Sequence, residues 1–253
     1  MLISTSAETA LTRESEHMVD DQPYLGREYI GESPKPGTPG YGTNMAGAAG
    51  AGDGPQAYLV IQPPGSVTRP HFHQTNQFQL FVGGSGRVGK VRVDPVTVQY
   101  AGANTPYGPI HAEDQGIDYF TLRQHWESGA KYLPERRDLL VKGQQRQVLG
   151  TATRGAIPEE GVVEETLFAP AADGLLAVAL RLAPAASITL PDASEGGGQY
   201  HVVLTGGLTR DDEVYGPLAV EFASADEGAV AIEAGAEGLE LLVLRFPRVG
   251  GEG

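Results

Sequence analysis

The chain has 253 residues, with 35 glycines, 18 prolines and no cysteine, enough for one large domain or two ordinary ones and with no means of disulfide or thiolate chemistry. Its net charge is −14, and residues 151–253 contribute −12 of that, with 5 Lys+Arg against 17 Asp+Glu. Such a surface repels nucleic acid and anionic membrane, which excludes both as expected partners. No apolar run approaches the roughly 20 residues of a membrane span. The opening MLISTSAETALTRESE lacks a basic stretch followed by an apolar core, so no secretory signal is expected and a cytoplasmic protein is.

Residues 1–22 are polar, read as a frayed arm or a short helix around Glu8–Val19, with His17 exposed and inert. Arg27–Ile30 is a candidate first strand. Residues 31–55 are rich in Gly, Pro and Ala, the composition of a loop, which could also serve as a lid. Six short segments then carry β-branched or aromatic residues bounded by Gly, Pro or Asp: Ala57–Gln62, Thr68–His73, Gln77–Val82, Gly89–Val93, Thr97–Tyr100 and Ile117–Arg123. Closing them into a barrel removes exposed edges. Gly84-Ser-Gly86-Arg-Val-Gly89 fits G-x-G-x-x-G, but the KVRVDP that follows is strand and turn, so the glycines belong to a hairpin. Residues 127–150 hold helix formers and charges, and predict a connector with one short helix near Glu135–Lys142.

The second half repeats the first. At an offset of 121, Val60–Pro70 lies over Arg181–Pro191; at 122, Gln77–Gly84 lies over Gln199–Gly206 and Gly116–Arg123 over Gly238–Arg245. Agreement of three segments at nearly one offset predicts two copies of one barrel. His71 then falls near Asp192, His73 near Ser194 and His111 on Glu233, while His201 lies opposite Gln79, so the second barrel is expected to be metal-free.

His71 and His73, two apart, leave one face of an extended strand. With His111 they form a set of three imidazoles suited to Zn, Fe, Cu or Ni. The two stretches read Gly65-x5-His71-x-His73-x3-Gln77-x6-Gly84 and Pro106-x-Gly108-x2-His111-x3-Gln115. In this they resemble the paired motifs of the cupin superfamily, with Gln77 where the family usually has Glu and Gln115 where it has Asn. The resemblance implies an all-β protein of two tandem cupin (double-stranded β-helix, jelly-roll) barrels with a short helical connector. The expected organisation is an arm and loop (1–54), a metal-bearing barrel (55–126), a connector (127–165) and a degenerate barrel (166–248).

The same resemblance implies one divalent ion on His71, His73, Gln77 and His111, Fe(II) first, with Zn, Mn, Ni or Cu as alternatives, and with Gln77 either a weak amide ligand, a partner of a metal-bound water or a glutamine satisfied by backbone groups. Tyr119, Arg123, Gln79 and Tyr107, together with Tyr58, are expected around it, with Arg123 either clamping a substrate carboxylate or pointing to solvent. Arg69 and Glu113 are candidate supporting or rim charges, and His125 and Trp126 packing residues. The functions that follow are a non-haem dioxygenase acting on a small enolic, phenolic or carboxylate substrate, a non-redox isomerase, cyclase or lyase, and a ligand-binding or sensing module. A homodimer is expected.

Overall fold

The computed structural model describes residues 1–43, 54–143 and 145–248, and it is built almost wholly of antiparallel strands. The chain begins with β1 (Leu2–Thr5) and α1 (Ala7–Leu11). Next come β2 (Glu14–Val19), β3 (Gln22–Ile30), β4 (Gln56–Gln62), β5 (Val67–Thr68), β6 (His71–Phe72) and β7 (Gln77–Val88). These are followed by β8 (Val91–Val93), β9 (Thr97–Ala101), β10 (Ile110–Arg123), β11 (Lys131–Tyr132) and β12 (Gln147–Thr151). The last strands are β13 (Val162–Phe168), β14 (Leu176–Leu182), β15 (Ser187–Thr189), β16 (Gln199–Arg210), β17 (Glu213–Tyr215), β18 (Val220–Ala223) and β19 (Ala231–Arg245).

The chain divides into two units, Arg13–Thr151 and Met1–Thr12 with Ala152–Gly253. The first holds a sheet in the order β12-β9-β7-β10-β4-β3-β2, with β5 on β10 and β8 on β7. The second runs β1-β18-β16-β19-β14-β13, with β15 on β19 and β17 on β16. The order from β12 to β3 corresponds to that from β1 to β13, with β2 an addition to the first sheet, so the repeat read from the sequence is a repeat of topology.

Two boundaries differ from the sequence expectation. The opening residues are not an arm: β1 pairs with β18 from Leu2↔Ala223 to Thr5↔Val220, filling the edge that β12 fills in the other unit. A β2–β3 hairpin then turns through Asp20 and Asp21 at φ 47° and 63°, a left-handed pair that Asp tolerates. The helix expected at Glu135–Lys142 is a single 3-10 turn at Arg137–Leu139, and residues 127–165 also carry β11, β12 and the start of β13.

Burial on both faces explains why strand alternation is muted here. In β10 one face carries Tyr119, Thr121 and Arg123 and the other Phe120 and Leu122, and all five are buried. Glycine is required where β7 and β10 bulge together. At Gly84, φ is +63° and a Cβ would sit 2.0 Å from the Gly116 oxygen; Gly206 repeats this against Gly238 at 2.0 Å. Gly84→Ala is therefore expected to cost about 3 kcal/mol or more, read as a shift of the urea midpoint. Among the described residues no helix is long and apolar enough to cross a membrane.

Candidate active site

Registered strands of the first unit line up three rows of side chains. Gln77–Arg123–Gln56, Gln79–Thr121–Tyr58 and Phe81–Tyr119–Val60 are cross-strand partners on β7, β10 and β4. Arg123, Thr121, Tyr119, Gln79, Tyr58 and Val60 line one pocket, whose empty space including its open mouth is about 700 Å³.

His71 and His73 meet at the buried end of this pocket, with ring centroids 5.3 Å apart. Each imidazole is anchored through Nδ1: His71 to the Arg69 carbonyl at 2.7 Å, His73 to Glu127 Oε2 at 3.1 Å. These bonds assign the proton to Nδ1 and leave the Nε2 lone pair free to accept. Burial, helped by the nearby Arg123 charge, lowers His71 to about 4 and His73 to about 3. Both rings are neutral at pH 7.

Tyr107 stands beside His71, its backbone exchanging two hydrogen bonds with that of His71. Its hydroxyl donates to His71 Nε2 at 2.8 Å and accepts from Gln77 Nε2. Burial raises the Tyr107 phenol above its ordinary range. The Gln77 carbonyl oxygen takes two N–H groups from Arg123, at 3.2 Å from Nε and 3.1 Å from Nη2. Nη1 of the same guanidinium donates to Gln56 Oε1 at 2.6 Å. Nη2 lies 3.2 and 3.3 Å from the two nitrogens of His73, nearly equidistant, as a group resting against the ring would be. Gln79 is held through its carbonyl by Gln99 at 3.2 Å.

Behind His73 lies a pair that sequence reasoning missed. Glu127 and Lys131 are fully buried and in direct contact, and Glu127 also accepts from the Gln74 and Gly129 amides. Lys131 donates as well to Ser128 Oγ and the Gly129 carbonyl, the three-acceptor environment of an ammonium. Burial lowers Lys131, with Glu127 opposing. Burial would raise Glu127, but His73, Arg123 and Lys131 together hold it well below the carboxylate range. The sequence signal was faint: two charges four apart in a Gly- and Ala-containing stretch.

His111 does not join the cluster, which corrects the three-imidazole expectation. Its neighbours Ile110 and Ala112 are buried in the apolar core beside Phe81 and Ile117, so alternation turns His111 outward, where it is exposed. Tyr107, four residues earlier, takes the inward place. Arg123 points inward and is completely buried, which settles its orientation. Arg69 is a rim group, paired with Asp20 and Glu135 and stacked on Tyr132, while Glu113 bonds Ser85 and Arg92. His125 is exposed. His17 is not inert arm: it packs over Gly26 and lines the pocket.

The part of the 31–55 loop within the described residues also reaches the pocket, through Ser33, Pro34, Pro36 and Tyr41. Tyr41 lies over Gly129, where a Cβ would be 2.4 Å from its ring, and the Gly42 amide bonds the Ser128 carbonyl at 2.8 Å. Residues 44–53 of that loop lie outside the described residues.

The other unit repeats the Gln–Arg pairing as Gln199↔Arg245 but fills the interior differently. Arg245 bonds the Gly174 and Asp192 carbonyls and the Glu195 carboxylate. His201 is tied to Glu221, which also holds Arg210 and Ser4, and Gln199 donates to its Nε2. Aliphatic side chains such as Leu180, Val203 and Leu241 pack the rest.

No family model and no curated protein matches this sequence. Solved structures do. A candidate dioxygenase from Nostoc punctiforme PCC 73102 superposes with a TM-score of 0.63 at 12% identity, over 100% of this chain and 85% of that one. Bacillus subtilis oxalate decarboxylase, described for its Mn(II) centres, gives 0.56 at 11% over 98% and 78%. The Escherichia coli pirin YhhW in complex with nickel(II) gives 0.56 at 11% over 98% and 100%. These similarities establish the cupin fold, in two barrels, for an all-β chain. At such identity they carry the fold and not the chemistry.

The residues present can be tested against the divalent ion that the fold implies. The two Nδ1 anchors match the supporting bonds of metal-ligating histidines. The inward donors, however, are engaged: His71 Nε2 by a phenol, the Gln77 oxygen twice by a guanidinium, and the His73 ring by the same guanidinium. Among the described residues no group of three His, Cys, Asp or Glu is placed to hold a metal. This set does not fit the ion; it holds a cationic side chain instead.

Proposed function

We propose that the barrel of residues 13–151 is an enzyme that binds a small organic anion, a carboxylate or an enolate, and moves a proton on it. One observation carries the reading. Among the described residues of this unit the buried cations are Arg123 and Lys131, and the buried carboxylate is Glu127 alone. Arg123, fully buried and bonded to the Gln77 and Gln56 amide oxygens, sets a permanent positive charge beside the pocket. A guanidinium held in place away from water binds a carboxylate or enolate more strongly than one in solution. The other barrel differs on this point, since Glu195 pairs with Arg245.

Gln77 preserves that charge. A carboxylate there would neutralise Arg123 and could not donate to Tyr107, whereas the amide accepts from Arg123 without neutralising it and donates to Tyr107. In the ligand complex Arg123 orients the anion, and the His71 Nε2–Tyr107 hydroxyl pair is the proton acceptor and donor. Six tyrosines (24, 41, 58, 107, 119 and 132) line the pocket and exclude water from a flat ligand body.

Titration calorimetry with a panel of small carboxylates and enolates, in excess chelator, tests this. Binding is expected to persist with chelator and to weaken at least about tenfold in Arg123→Met and in Gln77→Glu. Binding that vanishes with chelator would refute it. A second reading, a metal-dependent enzyme of the dioxygenase type with Fe(II) or a related ion, is favoured by the Nδ1 anchors and by the neighbours described as a candidate dioxygenase and as Mn(II) and nickel(II) proteins. Metal bound stoichiometrically in a His73-dependent way would favour that one.

A further inference from the structure

We infer that Arg123 is the resident cation of the first barrel, standing where a divalent ion would otherwise bind, and that removing its guanidinium opens a metal site on His71 and His73. The inference rests on the guanidinium-centred reading above, and deepens it. Both imidazoles already have the anchoring of metal ligands, Nδ1 fixed by a carbonyl and by a carboxylate, and Nε2 left as acceptor. Gln77 points its carbonyl oxygen to the same place, and the Tyr107 hydroxyl borders it. What bars a second cation is Arg123 itself. Its three nitrogens saturate Gln77 and Gln56 and cover His73, and Arg123 itself has zero solvent exposure.

Two like charges within a few ångströms repel strongly where water is excluded. The guanidinium cannot relieve this by losing its proton. A divalent transition-metal ion and Arg123 are therefore alternatives for one place, and the choice is written into a single residue of β10. The other barrel has the matching arginine, Arg245, but not the pair of inward imidazoles, so the same substitution there opens nothing.

The test uses full-length protein stripped with chelator and then desalted, titrated with Co(II) at pH 7.5 and followed by absorption and calorimetry. Wild type is expected to show no site that depends on His73. Arg123→Ala and Arg123→Met are expected to bind one Co(II) at least about a hundredfold more tightly, and His73→Ala added to Arg123→Ala to abolish it. Arg123→Met keeps most of the apolar volume and decides the matter if the alanine variant fails to fold, as judged by circular dichroism. Folded variants that take up no Co(II) would overturn the inference, as would wild-type binding lost in His73→Ala. If neither variant folds, the wild-type titration decides alone, because His73-dependent binding overturns the inference and its absence sustains it. Failure of wild type to bind organic anions would instead strike the proposed function and leave this result standing.

Discussion

Glu127→Gln is expected to destabilise the first barrel by about 3–5 kcal/mol, the loss that follows when one partner of a buried ion pair is removed. The substitution keeps the shape but leaves one acceptor oxygen, so one of the Gln74 and Gly129 amides faces an NH2 group, and Lys131 loses its buried carboxylate. It also removes the acceptor that fixes the His73 tautomer. The sole tryptophan, Trp126, is its neighbour, so urea unfolding followed by Trp fluorescence reads this unit. Adding Lys131→Met to Glu127→Gln removes one cation and is expected to recover much of the loss, a coupling that a double-mutant cycle resolves. Near-neutral behaviour of Glu127→Gln would mean the pair is solvated.

Acidification is expected to weaken the same unit between pH 6.5 and about 4, by up to ~1.4 kcal/mol per pH unit for each histidine. The sign follows from the shifts. His71 falls to about 4 and His73 to about 3 in the folded state, from 6.5 in the unfolded chain. Between those values the unfolded state binds more protons, so their stability is fully present above pH 6.5 and lost as the pH drops toward the folded values. Glu127, held low by its neighbours, adds in the same direction below its unfolded value of 4.5. Trp126-detected urea midpoints at pH 7 and pH 5 measure the effect, and His73→Gln should flatten the profile. A flat wild-type profile would show that the imidazoles are not buried in neutral form.

Much of this was legible before any coordinates. Turn residues and β-branched runs marked the all-β class, and the 121–122 offset marked the duplication, because a repeated barrel needs its apolar and glycine positions at fixed intervals. The pairing of His71 with His73, and the shared face of Tyr119 and Arg123, followed from alternation. The third imidazole did not, although the apolar neighbours Ile110 and Ala112 claimed the core face and left His111 the outer one. Motif spacing outweighed that local pattern. The Glu127–Lys131 pair was invisible because its meaning depends on His73 and Arg123, 54 and 4 residues away from Glu127. The membership of β1 in the other barrel was equally hidden, since pairing across 217 residues leaves no periodicity in either segment.

Anomalous diffraction from crystals of protein purified without chelator identifies directly the cation that lies between His73 and Gln77. A planar guanidinium from Arg123 in contact with both, His111 at the surface and no anomalous peak at a transition-metal edge is the predicted result. A peak coordinated by His71, His73 and His111, with Arg123 displaced, would contradict it.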